Sequence, residues 1–229
     1  MELVEQSTYI GAVISIASYV LGLWLKEKTH SAWANPLLIS LVLVVVFLLC
    51  TGTSYESYRQ GTQFITYLLT PATVCLAVPL YEQFEALKRN YKAVLSGIIA
   101  GTLTSMCCVL LMAVAMGLSH QGYVSLLPKS ITTAIGIGIS GELGGIVPIT
   151  VLSIVITGVF GNVIAEQFLR LIHVEESVAR GIAIGTASHA MGTVRAMEMG
   201  HVEGAMSGLS IVVAGILTVI TASIFAVLH

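Results

Sequence analysis

Lys129, Glu142, His189 and Arg195 are the residues of this chain best equipped for chemistry, because they are ionisable groups set in otherwise apolar sequence. Such a side chain is costly at membrane depth unless it lines a cavity or finds a partner, so each is a candidate for binding or relay. They fall in two glycine-rich polar stretches, PKSITTAIGIGISGELGG at residues 128–145 and GTASHAMGTVRAME at 185–198. Ser130, Thr132 and Thr133 accompany Lys129, and Thr186, Ser188 and Thr193 accompany His189. A cation among hydroxyls can hold a small carboxylate, and an arginine can do so bidentately. Pro128 would open a half-helix whose free N–H groups and positive dipole end suit the same anion.

Each residue also has a structural reading. Lys129 can snorkel to an interface while the hydroxyls bond to their own helix. Glu142 is either a proton-carrying carboxylate with a raised pKa or a surface group at a hairpin end. His189 can exchange a proton near neutral pH, or sit satisfied by backbone. Arg195 and Glu198 are three residues apart and can pair along one helical face. Asn162 and Glu166, one turn apart, are expected to face a loop. Gly97 and Gly101 form a small-xxx-small step suited to helix packing. No phosphate-binding, metalloprotease or serine-hydrolase motif occurs, so neither an enzyme nor a bound cofactor is expected. Cys50, Cys75, Cys107 and Cys108 lack metal-ligand spacing and are expected to act as small packing groups.

The elements that must position these residues are dictated by composition. The chain has 229 residues, 56% of them hydrophobic and 10% charged, with a mean hydropathy of +0.93. Soluble domains carry about 25% charged residues, so the composition is that of an integral membrane protein. Uncharged windows at 6–25, 31–55, 60–81, 93–128, 143–165 and 204–228 predict about six full spans, since a spanning helix takes roughly 20 apolar residues. The expected fold is all-α and polytopic, one transmembrane domain over 1–229, with the two polar stretches as broken or re-entrant hairpins. A net charge of −2 gives nucleic acid no footprint. The first apolar segment follows Glu2 and Glu5 rather than a basic region, which reads as a retained span.

Basic residues set the expected topology. Lys26 and Lys28, then Lys88, Arg89 and Lys92, place the loops after the first and third spans in the cytoplasm. Arg170 and Arg180 belong there too, which requires residues 125–142 to enter and leave on the outer side and 182–198 on the inner side. Two hairpins meeting from opposite faces is the architecture of an alternating-access carrier. A weak repeat competes with this topology. Pro71–Val78 aligns with Pro128–Ile135 at a shift of 57 residues, as Glu85 does with Glu142 and Leu95-Ser96 with Leu152-Ser153. Parallel equivalence of the repeats would make 125–142 cross fully, whereas an inverted repeat would not.

The runs LLPKSITTAIGIGIS, GELGGIVPITVLSIVITGVFGN and ARGIAIGTASHAMGTVRAMEMG resemble the LrgB/CidB family over essentially the whole chain. The resemblance implies a protein of the bacterial cell membrane, possible oligomerisation, and a smaller LrgA/CidA-type membrane partner. It also implies two functions. Bacterial members are described as antiholin- or holin-like modulators of murein hydrolase activity and autolysis. Plastid relatives exchange glycolate and glycerate, and some bacterial members are linked to pyruvate uptake. Joined to the residues above, it implies a carrier of small monocarboxylates. Lys129 and Arg195 would hold the carboxylate, with hydroxyls from Ser130, Thr132, Thr133, Thr186, Ser188 and Thr193 around it, and Glu142 or His189 would carry a coupled proton.

Overall fold

A computed structural model of the chain describes residues 9–29, 36–68 and 84–229, together with Pro71, Cys75 and Tyr81. Every regular element among them is helical. The chain divides into two compact units, residues 1–75 and 76–229. The pair Pro71–Val78 of the sequence repeat lies largely outside the described residues.

In the first unit, α1 (Ile10–Thr29) packs on α2 (Pro36–Thr51) and on the short α3 (Tyr55–Gly61) and α4 (Gln63–Tyr67). Two glycines set these approaches. A Cβ on Gly22 would lie 2.8 Å from the Pro36 carbonyl oxygen, and one on Gly11 would lie 2.7 Å from that of Tyr58. The span expected over 60–81 lies largely outside the described residues, which show only a break near its start. At Thr62 the side-chain hydroxyl donates back to the Arg59 and Tyr58 carbonyls, at 3.0 and 3.2 Å, and separates α3 from α4.

The second unit holds both polar stretches. Its long helices are α5 (Phe84–Met116), α8 (Val147–Leu171) and α10 (His201–Ala226). With α1, they are the helices long and apolar enough to cross a bilayer among the described residues, and the 16-residue α2 is a shorter apolar helix. On α10, Ile216, Ile220 and Ile224 form an outward stripe, each about 60% exposed, while Ser207, Ser210, Ala214, Thr218 and Ala222 face the interior. The apolar residues at i, i+4 and i+8 thus point away from the core, as a lipid-facing helix requires. The four cysteines are exposed rather than packed inside.

Between these spans the chain turns back twice. After Gly117, α6 (His120–Leu126) enters from the end at which α5 and α10 finish. The Tyr123 hydroxyl donates to the Phe225 carbonyl at 2.9 Å there. The chain turns over 127–132, and α7 (Thr133–Glu142) runs back against α8, with the Thr150 hydroxyl donating to Ser140 at 2.7 Å. From the opposite end, α9 (Ser177–Met199) rises to His189, where the backbone takes φ 43° and ψ −143°, and then folds back. A Cβ on Gly192 would stand 3.2 Å from the Ile184 carbonyl oxygen. Eight residues of straight helix would separate these positions by about 12 Å, so the two limbs are antiparallel.

The two hairpins stand 57 residues apart, but they are not the segments the sequence repeat aligns, of which 71–78 lies largely outside the described residues. The second hairpin, 177–199, lies 57 residues after the first, 120–142, and each follows a long helix. Because α5 and α8 run in opposite directions, the two helix–hairpin units are inverted relative to each other, and each hairpin turns back to the end from which it came.

Candidate functional site

The two tips meet beside α5 and α8. In the first tip, Pro128 removes a backbone donor and the turn carries Lys129 and Ser130 to the level of Ser105. Ser105 and Ser130 share a hydrogen bond at 3.2 Å, and the Lys129 ammonium donates to the Ser130 hydroxyl at 3.1 Å. Thr132 stands at the N-cap of α7 without a side-chain cap bond, and Thr133 begins the helix. Both are half-buried. The first-turn N–H groups of α7 consequently have no side-chain cap from Thr132.

The second tip is fixed by its hydrogen bonds. His189 is 3% exposed, and its Nε2–H donates to the Ile154 carbonyl at 3.0 Å, since a carbonyl can only accept. Thr193 donates to the His189 carbonyl at 3.0 Å and bonds the Ser207 hydroxyl at 2.7 Å. A non-glycine residue held in this backbone region costs of order 1–3 kcal/mol, so these bonds must over-determine the turn. Close approach does the rest. A Cβ on Gly158 would lie 2.6 Å from His189 Cε1, and one on Gly181 would lie 2.7 Å from Met206 Cβ.

Asn162 and Glu166 do not face a loop. Asn162 Nδ2 donates to the Met191 carbonyl at 2.6 Å, pinning the descending limb of α9 to α8. One turn on, Glu166 pairs with Arg195 and accepts from Arg170 at 2.6 Å. Arg195 also pairs with Glu198. The arginine on which a bidentate carboxylate grip rested is thus shared between two carboxylates of the chain. Gly97 and Gly101 pack as the spacing implies, against Ile182 and Thr186 of α9.

Two cavities border the meeting point. The larger, about 530 Å³, has Lys129, Ser188 and Thr157 among mostly apolar walls that include Phe160, Ile164 and Ile184. The smaller has about 10 Å³ of accessible space and is lined by Thr102, Ser105, Ser130, Thr186 and Thr218. Each cavity draws residues from both hairpins, so the structure unites Lys129, Ser130, Thr186 and Ser188 in one region, whereas His189, next to Ser188, lines neither cavity. It leaves others apart. Glu142 is exposed at the end of α7, and Arg195 lines neither cavity. Thr102, Ser105 and Thr218 escape the sequence reading because isolated hydroxyls in spans usually bond to their own helix. Only the position of Thr102, one residue beyond Gly101, hints at a close helix contact. Among the described residues no His, Cys and acidic side chains gather into a metal-sized cluster.

A family model described as the LrgB-like family matches residues 15–228. The chain is 36% identical over 220 residues to the antiholin-like protein LrgB of Bacillus subtilis strain 168, covering 96% of this chain and 95% of the relative. It is also 36% identical over 218 residues to the proteins of that name in Bacillus cereus strains B4264 and AH187, covering 95% of each chain. No solved structure matches.

Proposed function

The chain belongs to the LrgB-like family, and from its hairpin geometry we propose that it carries small monocarboxylates across the bacterial cell membrane. The observation that carries this reading is the placing of the Lys129 ammonium in the wall of the 530 Å³ cavity where two oppositely oriented hairpins meet. Broken segments meeting from opposite sides are where carriers bind substrate, because only there is unwound backbone tolerated at depth.

In this reading the carboxylate pairs with Lys129, helped by the open N-terminal turn of α7 at Thr132 and Thr133. Ser188 and Thr157 bond an oxo or hydroxy group on the neighbouring carbon, and the apolar wall takes the remainder of a glycolate, glycerate or pyruvate. Thr193 acts through the turn it braces. Arg195 belongs to the network that closes the open end of the second hairpin and makes no substrate contact. Of the two proton carriers that the sequence offers, His189 is at the tips and Glu142 is at the mouth of the first hairpin.

Uptake of labelled glycolate or pyruvate into proteoliposomes holding the purified chain tests the reading. Saturable uptake that Lys129→Ala removes is the expected result. Uptake unchanged in Lys129→Ala overturns the site, and selectivity-free dye leakage overturns the carrier.

A second reading is favoured by the names of the relatives, which are called antiholin-like. In it the chain modulates murein hydrolase activity and autolysis, as a homo-oligomer or with a smaller LrgA/CidA-type membrane partner. Expression that alters lysis equally with native protein and Lys129→Ala would support this second reading against the first.

A further inference from the structure

The smaller cavity is unlike the larger one in every respect that matters to a ligand. Its polar lining consists of the hydroxyls of Thr102, Ser105, Ser130, Thr186 and Thr218, drawn from α5, both hairpin tips and α10. Thr102 and Thr186 are each 5% exposed, and the hydroxyl oxygen of each is buried without a hydrogen-bond partner. A buried hydroxyl left unbonded costs about 1–3 kcal/mol, so two of them lining one space point to an occupant. Room of about 10 Å³ admits one water-sized species and excludes any carboxylate.

We propose that this cavity is a sodium site, and that its occupancy is coupled through Lys129 to a carboxylate in the larger cavity. The inference rests on the carrier reading for its coupling, but not for the existence of the site. Neutral oxygen donors from broken segments are a sodium-type ligand set. The first limb of α9 ends at the tip, so its last carbonyls, the negative end of its dipole, lie within a turn of Thr186. Magnesium or calcium would have to give up hydration without a carboxylate in return, which excludes divalent ions.

Lys129 supplies the coupling. It lines the larger cavity, while its ammonium is bonded to Ser130, which lines the smaller one. An uncompensated ammonium one hydroxyl away repels a sodium ion. A carboxylate paired with that ammonium removes the repulsion, so each ligand favours the other by the same factor.

The test is thermal unfolding of the purified full-length chain in detergent, in sodium, potassium or choline chloride at equal ionic strength, with and without glycolate. Sodium is expected to raise Tm by roughly 3 °C or more, and by more with glycolate than without it. The Thr102→Val, Thr186→Val double variant is expected to fold and lose the response; should it not fold, Ser105→Ala is expected to weaken it. Lys129→Met is expected to keep the sodium response and lose its dependence on glycolate. Equal Tm in all three salts, as for a cavity holding only water, a sodium response that survives in the double valine variant, or one that is undiminished in Ser105→Ala, overturns the proposal. Stabilisation by glycolate in choline with no effect of sodium would overturn the sodium site while leaving the carrier reading standing. Transport failure with the sodium response intact would do the reverse.

Discussion

In the hairpin 177–199 the tip is tied: His189 to Ile154, Thr193 to Ser207, and Met191 to Asn162, with Arg195 held by Glu166 just below. In the hairpin 120–142 the ties are near the base. Tyr123 bonds the Phe225 carbonyl, the Ile146 amide donates to Ser125 at 2.7 Å, and Thr150 donates to Ser140. Among the described residues, the side-chain bond joining its tip to another helix is the one between Ser105 and Ser130, worth about 1 kcal/mol. One hairpin is therefore held at its tip by polar bonds, whereas the tip of the other is held mainly by packing, with Leu127 and Ile131 buried in the same core as Met106 and Ala222. Lys129, the cation proposed to hold the carboxylate, stands on the second of these tips, that of 120–142.

The sharpest separation of the two hairpins is between their cations. Lys129→Ala is expected to lower carboxylate uptake about 10- to 100-fold, the worth of a charged hydrogen bond, with little change in Tm. Arg195→Ala is expected to lower Tm first. Uptake assays paired with thermal unfolding of the same preparations read both, and equal behaviour of the two variants would erase the distinction.

Packing gives the next largest contrast. Gly158→Ala pushes a methyl into His189 and Met191, whose nearest atoms would lie 2.6 and 2.7 Å away. Overpacking of this kind costs about 1–3 kcal/mol, seen as a fall in Tm of the detergent-solubilised protein. Tolerance of alanine at Gly158 would show that the hairpin 177–199 is held more loosely than drawn.

A smaller effect is expected from the ion pair at the open end of the same hairpin. Glu166 and Arg195 are each about a quarter exposed, so water screens their attraction only partly. A double-mutant cycle with Glu166→Gln and Arg195→Ala should give a coupling of roughly 0.5–2 kcal/mol. Additive losses would mean that Glu198 and Arg170 can replace the missing partners.

The contrast between hairpins also marks what sequence can convey. Glycine and proline content located both breaks, and loop lysines and arginines implied that they start from opposite ends, as they do, because both act locally. The relation between the two hairpins was not legible, since the sequence repeat aligns other segments and only the opposed courses of α5 and α8 show the inversion. Lys129 stands out as a charge among hydroxyls, and its neighbours from the other tip were legible as a polar cluster. The pairing of Glu166 with Arg195 crosses 29 residues, and nothing near Glu166 in the sequence announces it. Thr102 and Thr218 are invisible for the same reason: a threonine in a span acquires meaning only from what packs against it.

Gly138 offers the finest test of whether the first hairpin moves. It lies in α7 in helical backbone, and nothing stands within 4 Å of where its Cβ would be. Packing therefore does not require glycine there, unlike at Gly158. Alanine at an open helical position should stabilise by up to about 1 kcal/mol, because glycine loses more backbone entropy on folding. If α7 must loosen for the first tip to release Ser105, that same substitution should slow turnover while raising Tm. A Gly138→Ala protein that is more stable and equally fast would instead place the moving part elsewhere. The two hairpins would then differ in how they are held without differing in what they do.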